Sequence, residues 1–151
     1  MNTLAFLYTL GCCLISIIIA GKSANREDKK WFANLNHPKK SLILKYMNIV
    51  GICSYLLFGY VLYHLFVSAD IVSIIIAVVI IQLMGLSPLL LYKTKQLRLF
   101  FFTLLVFPVL VPVLIFFLMQ TNLTLAILII VYLLWLVYDM SYFYRLMKLN
   151  R

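Results

Sequence analysis

The chain has 151 residues, of which 66% are hydrophobic and 11% charged, against about 45–50% and about 25% in an ordinary soluble domain. A water-soluble fold of this size has too little interior to hide that much apolar surface. A soluble globule is therefore excluded, and the chain reads as an integral, multi-pass membrane protein.

A helix that crosses a bilayer needs roughly 20 mostly apolar residues, because lipid offers its backbone no hydrogen-bond partner. Five runs meet this requirement, at about 3–20, 44–66, 71–92, 99–119 and 125–146. The expected fold is all-α, a five-transmembrane-helix bundle forming one membrane domain over 1–151. The first run could be taken for a signal peptide. It lacks a basic leader, and its positive charges follow the apolar stretch, so a retained helix is the expectation. Pro88 falls in the third run, and Pro108 and Pro112 in the fourth; each removes a backbone donor and bends its helix.

The net charge of +9 does not form a nucleic-acid surface, because the basic residues sit between the apolar runs. The first connection, 21–43, carries Lys22, Arg26, Lys29, Lys30, Lys39 and Lys40, with Lys45 beside it. The third carries Lys93, Lys95 and Arg98, and the tail Arg145, Lys148 and Arg151, while the second and fourth carry none. By the positive-inside rule the N-terminus lies outside and the C-terminus in the cytoplasm, with the cell membrane as the expected location. Asn122-Leu123-Thr124 fits a glycosylation sequon in a connection very close to the bilayer. Cys12, Cys13 and Cys53 all lie in apolar runs without metal-ligand spacing to His37 or His64, and read as small core residues.

The first connection is polar at its start and then holds Trp31, Phe32 and Leu35. A purely solvated loop has no need of that cluster, so the segment is expected to fold back over the bundle or lie in the headgroup layer. Here the sequence resembles the TspO/MBR family, which comprises the translocator protein and the bacterial tryptophan-rich sensory proteins. That family's loop reads W-[YF]-x-x-L-x-x-P, and Trp31-Phe32-Ala33-Asn34-Leu35-Asn36-His37-Pro38 reproduces it. Its second-helix L-Y-x-x-x-G-Y is similar to Ser54-Tyr55-Leu56-Leu57-Phe58-Gly59-Tyr60, and its third-helix W-[ST]-P-x-F-F to Leu86-Ser87-Pro88-Leu89-Leu90-Leu91. Its fifth-helix P-Y-x-x-W-x-x-[FY] is similar to Val131-Tyr132-Leu133-Leu134-Trp135-Leu136-Val137-Tyr138. The matches come in order along nearly the whole chain.

The resemblance implies a hydrophobic small molecule, a tetrapyrrole (porphyrin) or sterol-like compound, held between the helices for sensing or transport. Trp31, Phe32, Leu35 and Pro38 would close the cavity, and Tyr55, Tyr60, Tyr132, Trp135 and Tyr138 would form its walls. No cofactor is required beyond such a ligand, and the resemblance allows a homodimer, since many family members form one. The chain also departs from the family. Gly51 stands where a second-helix pocket tryptophan is expected, Leu86 replaces the third-helix tryptophan and Phe143 an asparagine. Loss of one pocket tryptophan argues against a porphyrin-degrading enzyme, and Gly51 would widen a cavity.

The residues themselves add two points. Tyr132, Trp135, Asp139 and Tyr142 recur at helical spacing and share one face. Aromatic stripes in membrane helices usually pack helix on helix. A carboxylate within an apolar run, however, costs at least about 2.5 kcal/mol and faces a bundle interior or a wet cavity. Asp139 is therefore expected either to meet a ligand's polar group in a pocket or to pair with Arg145 or Lys148 at the interface. Gly51, Tyr55 and Gly59 repeat every four residues, a spacing that permits close backbone approach. Val137, Tyr142 and Arg145 satisfy a loose cholesterol-contact pattern, which ordinary interfacial anchors also satisfy.

Conventional catalysis has no constellation to carry it: there is no Ser/His/Asp set, paired carboxylates or phosphate loop. Two readings follow, a non-enzymatic binder of a hydrophobic small molecule and a small membrane scaffold or accessory subunit with a filled core.

Overall fold

Backbone amides in lipid must be satisfied within their own segment, and a computed structural model meets that demand with helices throughout. It describes residues 2–38 and 42–150, with side chains from 46 onward in the third helix. Lys39, Lys40, the side chain of Lys45, and Arg151 lie outside the described residues. Helices α1 (Thr3–Lys22), α2 (Arg26–Ala33), α3 (Leu42–Ser68), α4 (Ile71–Thr94), α5 (Leu97–Leu104), α6 (Phe107–Thr121) and α7 (Leu123–Leu149) follow in order. Five segments are long and apolar enough to cross a membrane: Thr3–Lys22, Tyr46–Ser68, Ile71–Thr94, Leu97–Thr121 and Leu123–Leu149.

The fourth segment is broken rather than merely bent. Pro108 cannot donate to the carbonyl four residues back, and the chain tightens there. Leu105 donates to the carbonyls of Phe101 and Phe102, and Val106 to that of Thr103, before α6 begins with Pro108 in its first turn. Pro88 and Pro112, by contrast, are carried inside continuous helices.

Helix ends are capped by local side chains. Asn122 accepts from the Leu125 amide at the start of α7, so the sequon asparagine serves as a cap. Asp70 caps α4, accepting from both the amide and the hydroxyl of Ser73. The bundle closes as a ring in which α1 packs on α3 and α4, α3 on α7, α7 on α5 and α6, and α4 on α6.

Small and polar residues weld α1 to α4. Gly85 lies so close to α1 that a Cβ there would stand 2.6 Å from the Ser16 carbonyl oxygen and 3.0 Å from its Cα. Ser16 donates to the Ile81 carbonyl. One turn away along α1, the Gln82 amide donates to the Cys12 carbonyl at 3.1 Å. Such contacts matter in lipid, where burial of apolar surface gives helices no reason to associate. Gly59 does the same for α3 and α1, lying against Cys13.

The connection after α1 is not an irregular loop. Asn25 and Asp28 form a reciprocal capping box: Asn25 Oδ1 accepts from the Asp28 amide at 2.8 Å, and Asp28 Oδ2 from the Asn25 amide at 3.1 Å. That cap starts the eight-residue α2, which lies across one end of the bundle.

Candidate functional site

Aromatic packing, hydrogen bonds and an ion pair hold α2 and the residues after it against the bundle. Phe32 is buried and meets Tyr92 of α4 edge-on, with ring centroids 6.1 Å apart. His37 lies edge-on to Phe32 and donates from Nε2–H to the Phe32 carbonyl at 2.8 Å. Because a carbonyl can only accept, the neutral ring carries its proton on Nε2, which leaves Nδ1 to accept from the Tyr142 hydroxyl at 2.7 Å. Asn150 finishes the attachment: Oδ1 accepts from the Asn36 amide and Nδ2–H donates to the Asn36 carbonyl. Asp28 and Lys95 form an ion pair at 3.6 Å between α2 and the end of α4.

Beneath this cover lies a cavity of about 590 Å³ to which every helix contributes. Ile17, Ala20 and Gly21 come from α1, Gly51, Ser54 and Tyr55 from α3, and Met84, Ser87, Pro88, Leu91 and Tyr92 from α4. Phe100 and Leu104 of α5 and Phe107 of α6 complete the far side. Helix α7 presents Tyr132, Trp135, Leu136, Asp139 and Phe143, a three-and-four spacing that forms one stripe. The volume falls in the range of about 300–1,000 Å³ typical of small-molecule sites.

The structure thus gathers Tyr55, Tyr132, Trp135 and Asp139 around one space. Tyr55 bonds Ser16 at 3.2 Å; since the Ser16 hydrogen is given to Ile81, Tyr55 is the donor. Tyr132 meets Phe58 edge-on at 4.9 Å, while Trp135 lies 5.5 Å from the Tyr138 ring. Asp139 forms no ion pair with Arg145 or Lys148; Lys148 instead lies over the Tyr144 ring. Among the described residues the interfacial pairing expected as one alternative is therefore absent.

Other expected positions fall elsewhere. Tyr138 is 39% exposed and sits about a third of a turn from the α7 stripe, outside the cavity lining. Tyr60 is 51% exposed and meets His64 edge-on at 4.6 Å, facing away from the interior. The expected closing residues also divide. Lys29, two residues from Trp31 and so on the opposite face of α2, lines the cavity with Ser23 and Ala24. Trp31 and Leu35 instead line a separate cleft of about 400 Å³ with Lys95, Arg98, Met147 and Asn150. Phe32 acts as the wedge that seats the segment, and Pro38 lines neither space.

The glycines separate too. Gly59 is a close-packing residue, but a Cβ on Gly51 would meet nothing within 4 Å, and Gly51 lines the cavity. The absence of a large side chain at this position leaves space. Tyr142, a candidate sterol-contact or interfacial residue, is only 4% exposed and is engaged by His37, so it is not presented to lipid. The His37–Tyr142 bond joins residues 105 positions apart, and no local pattern announces it. Asn25-x-x-Asp28 was a readable signal for α2.

The TspO/MBR family model matches residues 9–148, nearly the full chain. The chain belongs to the TspO/MBR family. No curated protein and no solved structure matches it. Family membership accords with the five spans and with the family-like loop folded across the bundle end. In this TspO/MBR member the cavity lining holds Trp135 and Asp139 on α7 and the open position of Gly51 on α3.

Proposed function

We propose that this TspO/MBR protein binds a hydrophobic small molecule in the cavity between its helices, with α2 and the residues after it forming the cover. The observation that carries this reading is a space of about 590 Å³ walled by Tyr55, Tyr132 and Trp135 beneath that cover. Solid packing would have left a scaffold with no room for a ligand. Flat rings on opposing helices suit a flat, largely apolar molecule, and family membership favours a tetrapyrrole or a sterol-like compound.

The role is binding for sensing or transport rather than catalysis. Among the described residues Lys29 and Asp139 are the charged side chains in the lining, and they form no ion pair with each other. By the charge pattern, α2 and the mouth of the cavity face the cytoplasm across the cell membrane. A homodimer belongs to the same reading on family grounds.

The test uses the intrinsic fluorescence of Trp135 in a Trp31→Phe background, which leaves one indole. Titration with protoporphyrin in neutral detergent should quench that emission saturably, and a Gly51→Trp variant that fills the space should lose the saturable component. A purely linear loss in both proteins, as expected from light absorption by the porphyrin alone, refutes the reading.

A further inference from the structure

Asp139 is the feature that a purely apolar ligand leaves unexplained. Its carboxylate lines the cavity between Trp135 and Phe143 on the α7 stripe, yet it forms no hydrogen bond or ion pair with another described residue. A carboxyl group held among apolar helices with no partner among the described residues marks a functional site in a membrane protein, and its counter-ion is the first thing to look for. Among the described residues the cavity's other charged side chain is Lys29, which belongs to α2 at the covered end and forms no ion pair with Asp139.

No metal explains Asp139 either: no cluster of three His, Cys, Asp or Glu ligands exists among the described residues. Several aromatic side chains share the cavity lining with the carboxylate. Trp135 precedes it by one turn, Tyr132 by two, and Tyr55 and Tyr92 face the same space from α3 and α4. The face of an aromatic ring carries negative electrostatic potential, and rings surrounding a single carboxylate are the arrangement that receives an organic ammonium group. An acidic ligand is disfavoured there by repulsion, and a neutral one leaves the carboxylate unmatched.

On the reading that the cavity binds small molecules, we propose that its preferred ligands are lipophilic amines. The cationic nitrogen pairs with Asp139 among the rings, and the apolar body extends toward Gly51 and the wall of α5 and α6. Gly51 supplies the width, since nothing within 4 Å occupies the position of its missing side chain.

Three fluorescent probes with one flat body test this: 1-pyrenemethylamine, 1-pyrenemethanol and 1-pyreneacetic acid, a cation, a neutral analogue and an anion. Each is titrated into the Trp31→Phe protein in a neutral maltoside detergent, with energy transfer from Trp135 as the readout. The amine should bind at least about tenfold more tightly than the alcohol, and the acid more weakly than either. Asp139→Asn, which keeps shape and hydrogen-bonding capacity, should bring the amine to the alcohol's affinity while leaving the alcohol unchanged; Asp139→Glu should keep the preference.

Equal affinity of amine and alcohol in the parent protein, or a preference that survives Asp139→Asn, overturns the assignment while leaving the cavity reading intact. If none of the three probes gives saturable transfer, the cavity reading fails and the amine preference with it. Thermal unfolding of each variant in the same detergent confirms that a lost preference is not lost fold.

Discussion

The same substitution at two glycines should have opposite consequences. In Gly85→Ala the new Cβ would stand 2.6 Å from the Ser16 carbonyl oxygen and 3.0 Å from Ser16 Cα, both backbone atoms of α1. Ordinary contact needs several tenths of an ångström more, and a helix backbone cannot yield as a flexible side-chain end would. Helix α1 must therefore move off α4. Overpacking of this kind costs about 1–3 kcal/mol, and loosening the Ser16–Ile81 hydrogen bond adds about 1 kcal/mol. Helix propensity returns a little under 1 kcal/mol for glycine replaced by alanine. The net destabilisation is roughly 1–3 kcal/mol, or a fall in Tm of roughly 3–10 °C for a chain of this length.

Gly51→Ala meets nothing within 4 Å, so only the propensity gain remains and Tm should hold or rise by a degree or two. The assay is thermal unfolding of the parent and both variants in one detergent, followed by circular dichroism. If Gly85→Ala is as stable as the parent, or Gly51→Ala loses as much as Gly85→Ala, the distinction between a packed and an open glycine is wrong.

Other predictions address the cover. Phe32→Ala removes the wedge between α2 and Tyr92 and should cost about 3–5 kcal/mol if the segment stayed rigid; local release will lower that figure and appear as faster amide hydrogen exchange over 26–36. Tyr142→Phe deletes one hydrogen bond to His37 and should cost about 0.5–1.5 kcal/mol, with exchange rising at 32–38 and unchanged within α6. Lys95→Ala breaks an ion pair whose lysine is 47% exposed and should change Tm by no more than the equivalent of about 1 kcal/mol. Asp28→Ala also removes half of the α2 capping box and should lose clearly more. Cysteines placed at Lys30 and at Asn122 in a cysteine-free background should label from opposite sides of a sealed cell, with Lys30 reached only from the cytoplasm.

The spans were legible because they depend on length and hydropathy alone, and each expected run lies within a few residues of an observed helix. The α7 stripe was legible for a stronger reason: Asp139 is expensive in lipid, so its direction fixes the inward face, and helical spacing carries Tyr132 and Trp135 with it. Motif similarity without that energetic constraint did less well. Tyr60 and Tyr138 occupy family positions, yet helix rotation puts both outside the cavity lining. Trp31 lies on the far side of a short helix started by the Asn25 and Asp28 cap, and Leu35 just past its end, so both face a separate cleft. A glycine in an apolar run does not reveal whether a neighbouring backbone or a void lies beside it: Gly85 lies against α1, whereas Gly51, for which the sequence allows both close packing and a wider cavity, faces open space. The His37–Tyr142 bond is a product of tertiary folding, and no local periodicity encodes it.

Selectivity in such a cavity has an unusual source. A ligand arriving from water gains by leaving it, but a lipophilic ligand already dissolved in the bilayer gains little from one more apolar wall. Acyl chains can fill the same space, so hydrophobicity alone cannot separate the ligand from the lipid that competes with it. Discrimination must come from shape and from the few polar groups in the lining. The open position of Gly51 relaxes the shape criterion, which shifts the burden to polar groups, and the same lining holds at Asp139 a carboxyl group with no partner among the described residues. It follows that filling the space and neutralising the charge should be separable: Gly51→Trp should exclude large ligands whatever their charge, whereas Asp139→Asn should level affinities among ligands of one shape. In the double variant the charge effect should disappear for any ligand that Gly51→Trp already excludes, and a residual amine preference for such a ligand would place its binding site outside this cavity.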